Sequence, residues 1–219
     1  MNRPMGGFNR QRAIEGLFWL IKRDRALILQ LGLVWFVLNG FLLLVSQMLF
    51  PTSGVVANLG FIVTPFFFAS LSHAAVSPDT TTLLEARQVG LARFGQTFLL
   101  MLVTNLVMAV GLLALIIPGL VMMVAFLPIY AIDASEDRGV SHAFSRCRDI
   151  FVAHGWNIAL IMLVATIPVI LAILMLSALG TGLLLVSQSL ITVLSATVSL
   201  YLGAAVYLEA TYGGSSDAN

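Results

Sequence analysis

Three stretches of this chain, residues 26 to 78, 94 to 132 and 150 to 208, contain no Asp, Glu, Lys or Arg at all. A hydrocarbon core of about 30 Å is crossed by about 20 helical residues, so each stretch is too long for one crossing and suits two. Residues that end or turn helices divide them: Pro51 to Gly54 in the first, Pro118-Gly119 in the second, Gly180 to Gly182 in the third. The expectation is an all-α polytopic membrane protein of six transmembrane helices arranged as three hairpins. The predicted spans are 26–50, 55–77, 98–117, 119–133, 156–179 and 183–208. With 59% hydrophobic residues, 10% charged and a mean hydropathy of +1.01, the 219-residue chain lies far from soluble domains of its size.

The charges fall in four windows: 1 to 25, 79 to 93, 133 to 149 and the tail from Glu209. Six crossings put all four windows on one side of the membrane, together with all eleven Lys and Arg residues. The positive-inside rule makes that side cytoplasmic, with both termini there. Reading 98 to 132 as one kinked helix would move Arg138, Arg146 and Arg148 to the opposite side from the six N-terminal basic residues, so Pro118 and Gly119 are read as the tight turn of a hairpin. Span four is then short, roughly 22 Å at 1.5 Å per residue, which draws attention to Asp133 at its end. The first apolar stretch is too long for a signal-peptide core and has no small-x-small site after it, so it is expected to remain as span one. The outer turns are about four, two and three residues long and uncharged, which leaves the membrane and its cytoplasmic face as the places of action.

A short segment with helical apolar spacing precedes each hairpin, at about 10–23, 82–95 and 139–154, and suits a cytoplasmic interfacial helix. In the third, Val140, Ala143, Phe144, Cys147, Ile150 and Phe151 share a face opposite His142, Ser145, Arg146, Arg148 and Asp149. Thr82-x-x-Glu85 predicts a capping box at the start of the second. Aligning Ala13, Ala86 and Ala143 gives three copies of one pattern, interfacial helix then hairpin, within a single integral membrane domain, 1–219.

Ile116-Ile117-Pro118-Gly119-Leu120, then Pro128, Asp133, the run Ala143-Phe144-Ser145-Arg146-Cys147-Arg148 and Gly155-Trp156 resemble the YciC-like family of bacterial six-span proteins, also met as the membrane part of some glycerophosphodiester phosphodiesterases. The resemblance covers roughly residues 80 to 175 and rests on short, mostly apolar motifs. Cys147 stands where that pattern usually has Ser, and Phe144 where it has Leu. The resemblance implies the six-span fold and a bacterial inner-membrane location; there is no phosphodiesterase domain, so no activity comes with it.

The chemistry-bearing residues are few. His73, His142 and His154 lack the spacing of a metal site, and the lone Cys147 excludes an internal disulfide. Asp133, Glu136 and Asp137 read most simply as a solvated loop after span four. No phosphate loop or nucleophilic triad is visible, so no catalytic residue, metal or cofactor is expected and the chain is read as a non-enzyme. Polar residues inside the spans are the remaining signal. Asn105 stands in span three, and Gln188, Thr192, Ser195 and Ser199 form one stripe along span six, a pattern for helix packing or for a pathway. Arg138, Arg146 and Arg148 are candidate contacts for anionic lipid or a membrane-protein partner, and no nucleic-acid partner is expected. The leading functional expectation is a non-catalytic inner-membrane module that organises lipids or partners at the cytoplasmic leaflet. The alternative is a small permease or exporter with a site near Pro118-Gly119 and the span-six stripe.

Overall fold

A computed structural model of the chain describes residues 8–49, 60–114, 116–177 and 184–213. Among these residues the structure is all helical, with no strand. The elements are α1 (Arg10–Arg23), α2 (Arg25–Leu49), α3 (Gly60–Val76), α4 (Leu83–Ala92), α5 (Phe94–Ala114), α6 (Ile116–Phe126), α7 (Ile129–Glu136), α8 (Val140–Ser177) and α9 (Leu184–Tyr212). Among the described residues, five stretches are long and apolar enough to cross a membrane: Arg25–Leu42, Phe94–Leu113, Pro118–Glu136, Val140–Pro168 and Ser189–Tyr212. The helix Ile62–Val76 is also apolar but shorter. Exposed rows such as Leu29, Leu33, Val37 and Phe41 on α2 and Leu99, Leu102, Leu106 and Leu113 on α5 are what lipid tails would cover.

Local chemistry accounts for the helix starts. The Asn9 side chain accepts hydrogen bonds from the Gln11 and Arg12 N–H groups at the head of α1. The Thr82 hydroxyl accepts from the Glu85 N–H while the Glu85 carboxylate accepts from the Thr82 N–H, completing the capping box. Those bonds hold the Glu85 carboxyl below its ordinary range. Asp137 ends α7 in the left-handed region, with φ 45°.

Two sequence boundaries move. Residues 139–154 and 156–179 are not separate helices, because α8 runs unbroken through Gly155; one glycine costs a helix only about 1 kcal/mol, and no proline lies nearby to stop it. Pro118 and Gly119 sit in the first turn of α6, where proline needs no N–H partner, and not between helices. The predicted span 119–133 is itself broken at Leu127-Pro128, between α6 and α7. Glycine then serves close approach. A Cβ on Gly119 would collide with the Leu112 side chain of α5, and one on Gly111 would lie 2.6 Å from the Met122 sulfur of α6.

The core is centred on α9, whose residues from Leu200 to Tyr207 are all buried. It packs against α1, α2, α3, α7 and α8. Gly203 meets the α6–α7 break so closely that an added Cβ would stand 2.2 Å from the Leu127 carbonyl oxygen. Trp35 is fully buried and stacks on Phe67.

The three segments read as interfacial helices turn their small and apolar residues inward to protein. Ala13, Ala86 and Ala143 are buried, and so, four residues on in each copy, are Leu17, Gly90 and Cys147. Phe18, Trp19, Leu84, Leu91 and Trp156 are exposed apolar residues of these segments and their margins. Arginines close the ends of three other helices. Arg23 donates to the Ala74 and Ser77 carbonyls, within and just beyond the last turn of α3, Arg93 to the Asp133 carbonyl of α7, and Arg12 to the Gly213 carbonyl after α9. Cations at helix C-termini satisfy the free carbonyls and oppose the helix dipole.

Candidate functional site

A cleft of about 480 Å³ opens among α3, α5, α6, α7, α8 and α9. On α5 its wall is the row Met101, Thr104, Asn105 and Met108; on α9 it is Thr192, Ser195, Ala196 and Ser199. Both rows follow i, i+3, i+4, i+7, so each is one helical face. Met123, Met162, Phe68 and Tyr130 fill much of the remainder. No charged residue lines it among the described residues.

The structure therefore brings Asn105, Thr192, Ser195 and Ser199 to one place. Gln188 lies in α9, but its side chain is outside the described residues. The Asn105 amide donates to the Met101 carbonyl at 2.8 Å, and the Ser195 hydroxyl to the Thr192 carbonyl at 3.2 Å. Sequence reading missed Thr104. Its side-chain hydroxyl is buried with no hydrogen-bond partner in the structure, although the residue lines the cleft. It also missed the methionines, which adapt to irregular apolar shapes. The signal was there in the spacing of Met101, Thr104, Asn105 and Met108.

The candidates in the 133–149 window are placed differently from one another. Arg146 approaches Glu136, with Nε 3.5 Å from Oε1, and Glu136 also meets His142 and accepts from the Tyr207 hydroxyl at 3.1 Å. Arg138 and Arg148 are exposed. Asp133 is not part of a solvated loop: α7 carries it into the interior, 5% exposed, where its Oδ1 accepts from Gln96 at 2.7 Å. Glu136 is half-buried and Asp137 exposed, the latter paired with Arg93 at 3.0 Å. Cys147 faces the protein core and is fully buried. No group of three or more His, Cys, Asp and Glu side chains able to hold a metal occurs among the described residues.

A further polar cluster lies at the junction of α1 and α2. Arg23 and Asp24 form a two-pronged ion pair, both bonds 2.8 Å, and Asp24 also accepts from the Tyr201 hydroxyl of α9 at 3.1 Å. With the Arg23 contacts to α3, this pair ties the start of α2 to two other helices. Four of the five guanidinium N–H groups and both carboxylate oxygens are hydrogen-bonded within the protein, which gives the pair an architectural role.

Compared with protein families, curated proteins and solved structures, the chain matches no family model, no curated protein and no solved structure.

Proposed function

We propose that the chain is a non-catalytic bacterial inner-membrane module that holds an uncharged amphiphile, a neutral lipid or a compound like one, in the cleft between α5 and α9. The observation that carries this reading is the lining: apolar and methionine-rich, with a few hydroxyls and, among the described residues, one amide and no charge. A charged headgroup would lose its hydration there and find no counterion, at a cost of several kcal/mol. A hydroxyl or ester group would instead meet the Asn105 amide and the Ser195 and Ser199 hydroxyls. An apolar chain would lie against Met101, Met108, Met123 and Met162.

The frame of this reading is six spans in three hairpins, with both termini and the 79–93 and 133–149 windows in the cytoplasm. It is supported by the one-sided placement of Lys and Arg, by the close approach of α5 and α6 at Gly111 and Gly119, and by the resemblance to the YciC-like proteins. Membrane lipid is the partner, and binding there organises lipid at the cytoplasmic leaflet. A permease is the second reading, favoured by the same cleft if its occupant is passed from one side to the other.

Equilibrium binding of radiolabelled monooleoylglycerol to the purified chain in detergent, with oleate as competitor, tests the proposal. Saturable binding of the glycerol ester that oleate displaces poorly is expected. Equal or stronger competition by oleate would overturn the uncharged-ligand reading.

A further inference from the structure

Behind the cleft, on the far side of Phe68 and Tyr130, lies a second and much smaller space of about 10 Å³. Phe68, Ser72, Arg93, Thr97, Tyr130 and Asp133 line it. That volume suits one water molecule, which needs two or more polar partners. Ser72 supplies the independent sign that something belongs there. Its hydroxyl is buried without a partner, whereas Ser70 and Ser77 close by both donate to carbonyls four residues back. Asp133 has one carboxylate oxygen held by Gln96. Phe68 and Tyr130, packed edge to face with centroids 4.8 Å apart, belong to both the cleft and this space, and so form the partition between them.

We propose that this space is a one-water proton site at Asp133, and that its proton is coupled to occupancy of the cleft through the Phe68–Tyr130 partition. A metal cation suits it poorly, because the Arg93 guanidinium lines the same space. The water bridges the Ser72 hydroxyl and the other carboxylate oxygen of Asp133. Protonation forms one O–H bond on that oxygen with a proton drawn from solution and removes one negative charge; no other bond changes. An uncharged amphiphile in the cleft displaces water from the other face of the partition, which disfavours a charged carboxylate behind it. Amphiphile and proton therefore promote each other's binding. The titratable and charged groups near Asp133 are Arg93 at the α4–α5 junction, Tyr130, Glu136 and Asp137 on α7, His73 on α3, Tyr207 on α9, and His142 and Arg146 on α8.

This inference rests on the cleft reading, and the test separates the two. Monooleoylglycerol is added to the full chain in weakly buffered detergent, with binding followed by radiolabel and proton exchange by an indicator dye. Proton uptake of up to one per bound ligand is expected, abolished in Asp133→Asn and reduced in Ser72→Ala, with bound ligand confirming that each variant is folded. Should Asp133→Asn fail to fold, Ser72→Ala decides. Bound ligand without proton uptake overturns the inference and leaves the cleft reading standing, as does uptake that both variants retain in full. Absence of bound ligand overturns both.

Discussion

Replacing Gly203 by Ala adds a single methyl group at the tightest contact of the core. Its carbon would stand 2.2 Å from the Leu127 carbonyl oxygen and 3.1 Å from the carbonyl carbon. Carbon–oxygen contacts settle at about 3.3 Å or more, so α9 and the α6–α7 break must part by roughly 1 Å. The opposing atoms are backbone, and no rotamer change relieves them. Because the whole run from Leu200 to Tyr207 is buried, the displacement also strains the Tyr201 bond to Asp24 and the Tyr207 bond to Glu136. Overpacking of this kind costs about 1–3 kcal/mol, roughly a 5- to 150-fold loss in the folded-to-unfolded ratio. Gly95→Ala is the matched control. A Cβ there meets nothing within 4 Å, so the only effect is the helix preference for Ala, a gain of up to about 1 kcal/mol. Thermal unfolding of both variants and the parent in one detergent, read by circular dichroism and size exclusion, should give a lower midpoint for Gly203→Ala and an equal or higher one for Gly95→Ala. A Gly203→Ala protein as stable as the parent would refute the claim that glycine is required by the Leu127-Pro128 break.

Asp24→Ala leaves the largely buried Arg23 guanidinium without its carboxylate and should cost about 3–5 kcal/mol in the same unfolding assay, whereas an exposed change such as Arg148→Gln should leave the midpoint near that of the parent. Because Glu85 is held below its ordinary range, its contribution to capping α4 is present above the unfolded-state value and is lost as pH falls through the folded-state one; protection from hydrogen exchange at the first turn of α4, taken relative to the intrinsic rate at each pH, should fall only on acidification, and Thr82→Ala should lower it at neutral pH as well. Cysteines introduced at Thr52 and Thr181, which lie outside the described residues, should react with an impermeant maleimide from the periplasmic side and one at Gln88 only from the cytoplasm, with little background from the buried Cys147; reaction of all three from one side would reject six spans.

How much of this was legible in the sequence depended on the kind of signal. The charge-free stretches announce apolar helices because burial of ionised groups in hydrocarbon is so costly, and the Thr82–Glu85 box is local chemistry that needs no tertiary context. The stripe through Thr192, Ser195 and Ser199 is periodic and readable. That it faces Asn105 is a matter of helix packing, which periodicity does not give. Asp133 illustrates the limit most clearly: beside Glu136 and Asp137 it reads as solvated loop, and only the break at Pro128, which redirects α7 inward, carries it beneath Gln96. The unbroken path of α8 through Gly155 was equally hidden, since a glycine between an amphipathic and an apolar segment reads as a boundary until neighbouring helices stabilise both sides of it.

Native mass spectrometry of the chain, purified from its own membrane in mild detergent, tests the cleft most directly. The parent protein should retain one uncharged lipid per chain, and Ser195→Leu combined with Thr104→Leu, which fills the cleft from α9 and α5, should retain none while keeping its fold by circular dichroism. Equal retention by the parent and the filled variant, or retention of anionic lipid alone, would contradict the account.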